Sequence, residues 1–133
     1  MKKIDEITVR QVMRPNAAMV DGSITVMQAL RTMKKAGVTS LIVRKRFAHD
    51  EYGMVLFSDI AKQVIATNRA PERVNAYEIM AKPVISVRPD MRIRYCARLF
   101  ERFGISHAPV IENDEVIGIV SYYLLVLGAL EID

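Results

Sequence analysis

A single cysteine, Cys96, is all the thiol chemistry this chain carries. It excludes an internal disulfide and any multi-cysteine metal centre, and a reduced, cytoplasmic setting is the expectation. Long apolar runs are missing as well. The longest, Tyr122 to Leu127, falls well short of the ~18 residues a membrane span needs, so no membrane partner is expected. The N-terminus, Met1-Lys2-Lys3-Ile4-Asp5-Glu6, has no apolar stretch behind its lysines and does not read as a secretory signal. Absent too are a Ser/His/Asp set, paired carboxylates, metal-ligand spacing and a glycine-rich phosphate loop. No residue therefore stands out as catalytic or metal-binding, no cofactor is required, and an enzyme is not expected. The net charge of +4 favours anionic partners. No basic region is interleaved with aromatics, so nucleic acid is not the expected one.

What is present is an ordinary globular balance, 51% apolar and 26% charged over 133 residues, and an internal repeat. Offset by 67 residues, the sequence matches itself without a gap from Thr8 to Val43. Met13 falls on Met80, Val20 on Val87, Arg31 on Arg98, Gly37 on Gly104 and Val43 on Val110. The register then slips by two, and Gly53-Met54-Val55 matches Gly118-Ile119-Val120. The slip falls in a loop, where insertion costs little. Residues 1–67 form the first copy, 68–74 a linker and 75–133 the second copy.

Each copy has the same local signals. Thr8-x-x-Gln11 and Asn75-x-x-Glu78 are capping boxes that open a short helix. Pro15 and Pro83 stop it, and a short strand follows at Ala17 to Val20 and at Val84 to Val87. Ser23 and Asp90 are the expected N-caps of the next helix. Its apolar face is Val26, Ala29, Leu30 and Met33 in one copy and Ile93, Cys96, Ala97 and Phe100 in the other. Gly37 and Gly104 stand where a left-handed residue ends a helix. Two strands come next, joined by Asn113-Asp114 in the second copy and by a longer loop in the first. A helix closes each copy, Ser58 to about Thr67 and Tyr122 to about Leu130. Alternating strands and helices, twice over, predict an α/β fold of two pseudo-two-fold related motifs, each a small sheet packed with helices.

The order and the residues together resemble the cystathionine β-synthase (CBS) domain, as a tandem pair. Val12-Met13-Arg14-Pro15, Gly37-Val38-Thr39-Ser40-Leu41-Ile42-Val43 and Gly53-Met54-Val55-Leu56-Phe57-Ser58-Asp59 carry the likeness in the first copy. Ile79-Met80, Ile105-Ser106-His107-Ala108-Pro109-Val110 and Gly118-Ile119-Val120-Ser121 carry it in the second. The resemblance implies a regulatory module that binds an adenosine-containing ligand between its two motifs and signals to a partner protein. AMP or ATP is the first expectation and an S-adenosylmethionine-like compound the next. In such families a Gly-h-x-Thr/Ser-x-x-Asp pattern, with h apolar, supplies the polar contacts. The carboxylate takes both ribose hydroxyls, which suits its two acceptor oxygens.

Neither copy has the whole pattern. The first has Asp59, with Leu56 at the hydroxyl position; the second has Ser121, with Leu124 at the carboxylate position. The better cleft is expected to use Asp59 and Met54, completed by Lys82, Pro83 and Val84 and by Ile105, Ser106 and His107. The second would use Ser121 with Ala17 and Ala18, and with Val38, Thr39 and Ser40. The bland alternatives are that Asp59 and Ser121 cap their own helices and that the module is a ligand-free dimerisation unit. Arg44-Lys45-Arg46 with His49, in the enlarged loop, reads either as a solvated loop tip or as a contact for a polyphosphate or acidic partner. Arg94, Arg98 and Arg102 on one helix face read as solvated. The closing helix, apolar nearly all round, predicts a homodimer in which Leu125 and Leu127 are buried beside a strip of Ile60, Ala61, Val64 and Ile65.

Overall fold

Thr25, not Ser23, opens the first long helix. Its hydroxyl accepts from Gln28 N–H at 3.1 Å, and the Gln28 side chain accepts from Thr25 N–H at 2.8 Å. The two bonds form a capping box that fixes the helix start two residues later than Ser23 would. In the second copy the cap is Arg92, with no side-chain bond to the helix. Asp90 instead pairs with Arg88 at the surface. Backbone carbonyls from outside the helices take further first-turn amides. Val26 N–H donates to Val74 O and Met27 N–H to Pro71 O, while Ile93 N–H donates to Ile7 O. Residues 68–74 are therefore not a free linker, and Val74 is buried.

The structure, a computed structural model, describes residues 3–130. The elements run α1 Val9–Val12, β1 Arg14–Pro15, β2 Met19–Val20, α2 Val26–Ala36, β3 Ser40–Val43, β4 Gly53–Leu56 and α3 Phe57–Ile60. The last continues as a π-helical turn, Ala61–Ile65. Then follow α4 Ala76–Ile79, α5 Ile93–Phe103, β5 His107–Glu112, β6 Glu115–Ser121 and α6 Tyr122–Leu130. The mixed α/β architecture with two small sheets is the one expected. The bounds of the compact units differ from those of the sequence copies. One unit is Ala18–Val84; the other joins the N-terminal segment through Ala17 to the chain from Ile85 onward. Each copy's opening helix thus belongs to the unit built on the other copy's strands.

In the unit of residues 18–84, β2 runs parallel to β3, and β3 antiparallel to β4. Met54 of β4 makes a further antiparallel bridge to Ala81. The core is Val26, Ala29 and Met33 of α2, Leu41, Val43 and Val55 of the sheet, and Ile60, Val64, Val74, Ala76 and Ile79 around it. Ile60 and Val64 point inward, so the large apolar residues this closing helix exposes are Phe57 and Ile65, and of the expected strip Ala61 and Ile65 stay at the surface.

The other unit repeats the plan. Val87 bridges Val110 of β5 in parallel, β5 pairs antiparallel with β6, and β6 with β1. Asn113 and Asp114, at φ 52° and 65°, make the left-handed two-residue turn of the hairpin. Ile93, Cys96 and Phe100 of α5 pack with Val9, Ala108, Val110, Val120 and Leu125. Burial pushes the Cys96 thiol up to about 11, which leaves it protonated and unreactive. Gly128 lets α6 close on α1, since a Cβ there would lie 2.1 Å from Val12 Cγ1. Leu125 is only 4% exposed and belongs to this core. It does not lie on an outer face as the homodimer expectation had placed it.

Candidate functional site

In the unit of residues 18–84, chemistry gathers where β3 begins and β4 ends. Ser40 and Leu56 are register partners there. Phe57 N–H donates to Thr39 O at 3.2 Å, and Ile42 N–H to Ala18 O at 2.9 Å. The chain turns from β4 straight into α3, which places Asp59 on the first helical turn. Its Oδ2 accepts from Leu56 N–H at 2.8 Å. This is the capping use of the residue, and Oδ1 takes no part in that bond. Ala18, Thr39, Ser40 and Asp59 thus share one strand end.

The other unit has the related arrangement. His107 and Ser121 are register partners, and Tyr122 N–H donates to Ser106 O at 3.1 Å. Ser121 Oγ accepts from Leu124 N–H at 3.2 Å and so caps α6. Ser106 Oγ and His107 Nδ1 lie 2.8 Å apart. Burial holds the His107 pKa below its ordinary value, so the imidazole is neutral at pH 7. A phosphate would meet a neutral donor there, not an imidazolium.

Strand pairing therefore groups the expected residues by unit. Met54, Asp59, Lys82, Pro83 and Val84 lie in one unit with Ala18, Val38, Thr39 and Ser40; Ile105, Ser106, His107 and Ser121 lie in the other with Ala17. Met54 is buried, and its backbone exchanges two bonds with Ala81, at 3.0 and 2.9 Å. The peptide between Lys82 and Pro83 is cis.

Lys82 does not reach toward Asp59. Its Nζ lies 2.8 Å from Asp50 Oδ1 and 3.0 Å from Oδ2. Asp50 is buried, and it also accepts from Arg46 N–H at 2.9 Å and from Arg46 Nε at 3.1 Å. Sequence reasoning passed over this carboxylate. The available signal was an acidic residue four positions after Arg46 in an enlarged loop. The Lys82 ammonium, with the Arg46 amide and guanidinium, holds the Asp50 carboxyl well below the usual carboxylate range, against the opposing effect of burial. A depressed folded-state pKa contributes stability that is complete above the unfolded value and drains as pH falls. The parent protein should therefore lose melting temperature below about pH 4 more steeply than Asp50→Asn does. Parallel slopes for the two proteins in acid melting curves would show that the carboxylate adds no acid-linked stability.

Among the described residues, no three His, Cys, Asp or Glu side chains are grouped to hold a metal ion, and no helix is long and apolar enough to cross a membrane. A family model for the CBS domain matches the chain twice, over residues 9–65 and 76–126. The chain belongs to the CBS-domain family. A hexameric CBS-CP12 protein from bloom-forming cyanobacteria has 36% sequence identity and a TM-score of 0.90, over 92% of this chain and 71% of that one. The CBS domain pair of protein MJ0100, solved with 5′-methylthioadenosine and S-adenosyl-L-methionine, shares the fold at a TM-score of 0.78 and 24% identity, over 90% of this chain and 97% of that one. The protein MK0525 of Methanopyrus kandleri is 26% identical over 116 residues, 86% of this chain and 59% of its own length. Across the curated relatives it matches, this CBS pair spans from 23% to 69% of their length.

Proposed function

We propose that this CBS pair is a regulatory, non-catalytic module that binds an adenosine-containing compound and passes its bound state to a partner protein. The observation that carries the reading is the Asp59 carboxylate, set at a strand end with one oxygen outside its capping bond. A ribose diol offers two adjacent donors to such a group. Ala18 and Thr39 add backbone near the same strand end, and Ser40 a hydroxyl. The MJ0100 domain pair, of the same fold, holds two adenosine compounds. AMP, ATP and S-adenosylmethionine are the compounds to compare. The working unit is a homodimer, supported by the apolar residues exposed on α6.

Asp59→Ala should weaken the bound compound by about 1.5–3 kcal/mol, the worth of hydrogen bonds to a charged group. Isothermal titration calorimetry reads this directly, with circular dichroism to establish that the variant folds. Ser121→Ala should cost less, because Leu124 stands where its carboxylate partner would be. An unchanged dissociation constant for Asp59→Ala would place the ribose elsewhere.

A second reading has its own support. Asp59 and Ser121 both cap their own helices, and leucines occupy the complementary positions. These are the marks of a dimerisation module without a ligand. A thermal-shift panel of adenosine compounds separates the two readings, since a ligand that binds only the folded state raises its melting temperature.

A further inference from the structure

The first copy's enlarged loop forms a cavity that the adenosine reading does not use. Nine residues, 44–52, separate Val43 from its partner Gly53, against seven, 111–117, between Val110 and Gly118. The cavity, about 770 Å³, lies within the unit of residues 18–84, at the opposite end of β3 from Asp59. Its volume is that of a small-molecule site. Arg44, Lys45, Arg46 and Lys82 line it, together with the single carboxylate of Asp21. Asp21 lies 3.7 Å from Arg44, and Asp50 ties Arg46 to Lys82. The lining itself carries four basic side chains and one acidic one, so its wall is basic.

Two of these cations, Arg46 and Lys82, are also held in place. Asp50 is buried and fixes Lys82 from one segment and Arg46 from another, which organises them before any ligand arrives. Arg46 meets Asp50 through Nε and keeps a largely exposed side chain. The remaining wall is mostly apolar: Val43, Met80 and the ring of Tyr77, which is 55% exposed, with Gly22 and Ser23 beside them. At Gly22 a Cβ would come within 3.2 Å of Tyr77 Cβ, so a side chain there would crowd this wall. An inorganic anion alone would leave such a wall unused.

We propose that this cavity binds a phosphorylated small molecule with two or more negative charges and a planar body. The phosphates lie among Arg44, Lys45, Arg46 and Lys82, and the body lies against Tyr77 and Met80. The site is separate from Asp59 in both residues and ligand chemistry.

Uridine diphosphate and pyrophosphate test it, because neither contains adenosine. Calorimetry on the full chain should show saturable binding of both, one site per chain, with uridine diphosphate the tighter. Arg44→Gln with Lys45→Gln should weaken both about tenfold or more, the loss of two charge-assisted contacts. These two residues leave the Asp50 cluster intact. Lys34→Gln with Lys35→Gln removes the same charge from the exposed end of α2 and should leave both affinities within about twofold, because exposed distant charges are screened. Tyr77→Ala should erase the advantage of uridine diphosphate over pyrophosphate. Binding of S-adenosylmethionine should survive Arg44→Gln/Lys45→Gln, so failure at this cavity and failure at Asp59 read out separately. No saturable binding of either probe would overturn the proposal, as would equal losses from the two charge-removing pairs. Uridine diphosphate no tighter than pyrophosphate would remove the planar body. Binding of an acidic peptide but of neither phosphate would replace the ligand class altogether.

Discussion

Phe100→Ala should lower the unfolding free energy by about 3–5 kcal/mol, the cost of emptying a buried aromatic site. Phe100 is fully buried on α5, and its ring meets that of Tyr122 edge-on at 5.2 Å between centroids. It stands in a core formed with Ile93, Cys96, Val110, Val120 and Leu125. Most of these neighbours are held by strand or helix backbone, so the cavity cannot close by a local shift. Edge-to-face contact adds a share beyond simple burial. The unit is small, and a small unit has little stability in reserve. The corresponding residue of the first copy is Met33, also fully buried on α2. Met33→Ala should cost about 2–5 kcal/mol by the same mechanism. Urea unfolding, monitored by circular dichroism, gives both values. A loss under 1 kcal/mol for Phe100→Ala would mean that this core relaxes around the deletion and that α5 is not anchored through its ring.

The repeat made much of this fold readable. Helical spacing picked out the buried positions of α2 and α5, and Gly37 and Gly104 adopt the left-handed conformation at φ 67° and 64°. Ahead of the short helices the Gln11 and Glu78 side chains accept from Thr8 N–H and Asn75 N–H as the capping boxes predict, while the Thr8 and Asn75 side chains make no capping bond of their own. The N-caps of the long helices were misplaced because Ser23 and Asp90 are good capping types two residues too early. Backbone partners, Val74 for α2 and Ile7 for α5, set the actual start. That pairing also explains why the units exchange their opening segments, which a linear repeat cannot show. At the candidate site, the positions of Asp59 and Ser121 at helix starts were legible from the pattern, and so was their capping chemistry. Lys82 was not, because its partner Asp50 lies 32 residues earlier in a loop that one copy enlarges. Side-chain pairing across that distance leaves no periodic trace.

Assembly gives the other large effect. On α6, Tyr123 is 71% exposed, Val126 51% and Leu130 56%. The helix is apolar nearly all round, yet its own unit covers chiefly the Leu125 side. A groove of about 570 Å³ beside it carries Ile93, Ala97, Val126 and Ala129, with Arg94, Arg98 and Glu101 at hand for polar contact. An apolar strip next to such a groove is self-complementary when two copies meet about a two-fold axis. Each apolar side chain so covered contributes roughly 1.5–3 kcal/mol. The protein should therefore run at twice its chain mass in light scattering at micromolar concentration. Val126→Glu with Leu130→Glu should yield folded monomer, because both side chains are exposed within the unit and a buried carboxylate at the interface is costly. Leu125→Glu should unfold the unit instead, since that residue packs into the core with Phe100. The two variants distinguish surface from core on one helix. A monomeric parent protein would remove the dimer. A dimer that survives Val126→Glu/Leu130→Glu would move the interface to another face, with the exposed Phe57 and Ile65 of the first closing helix the next to test.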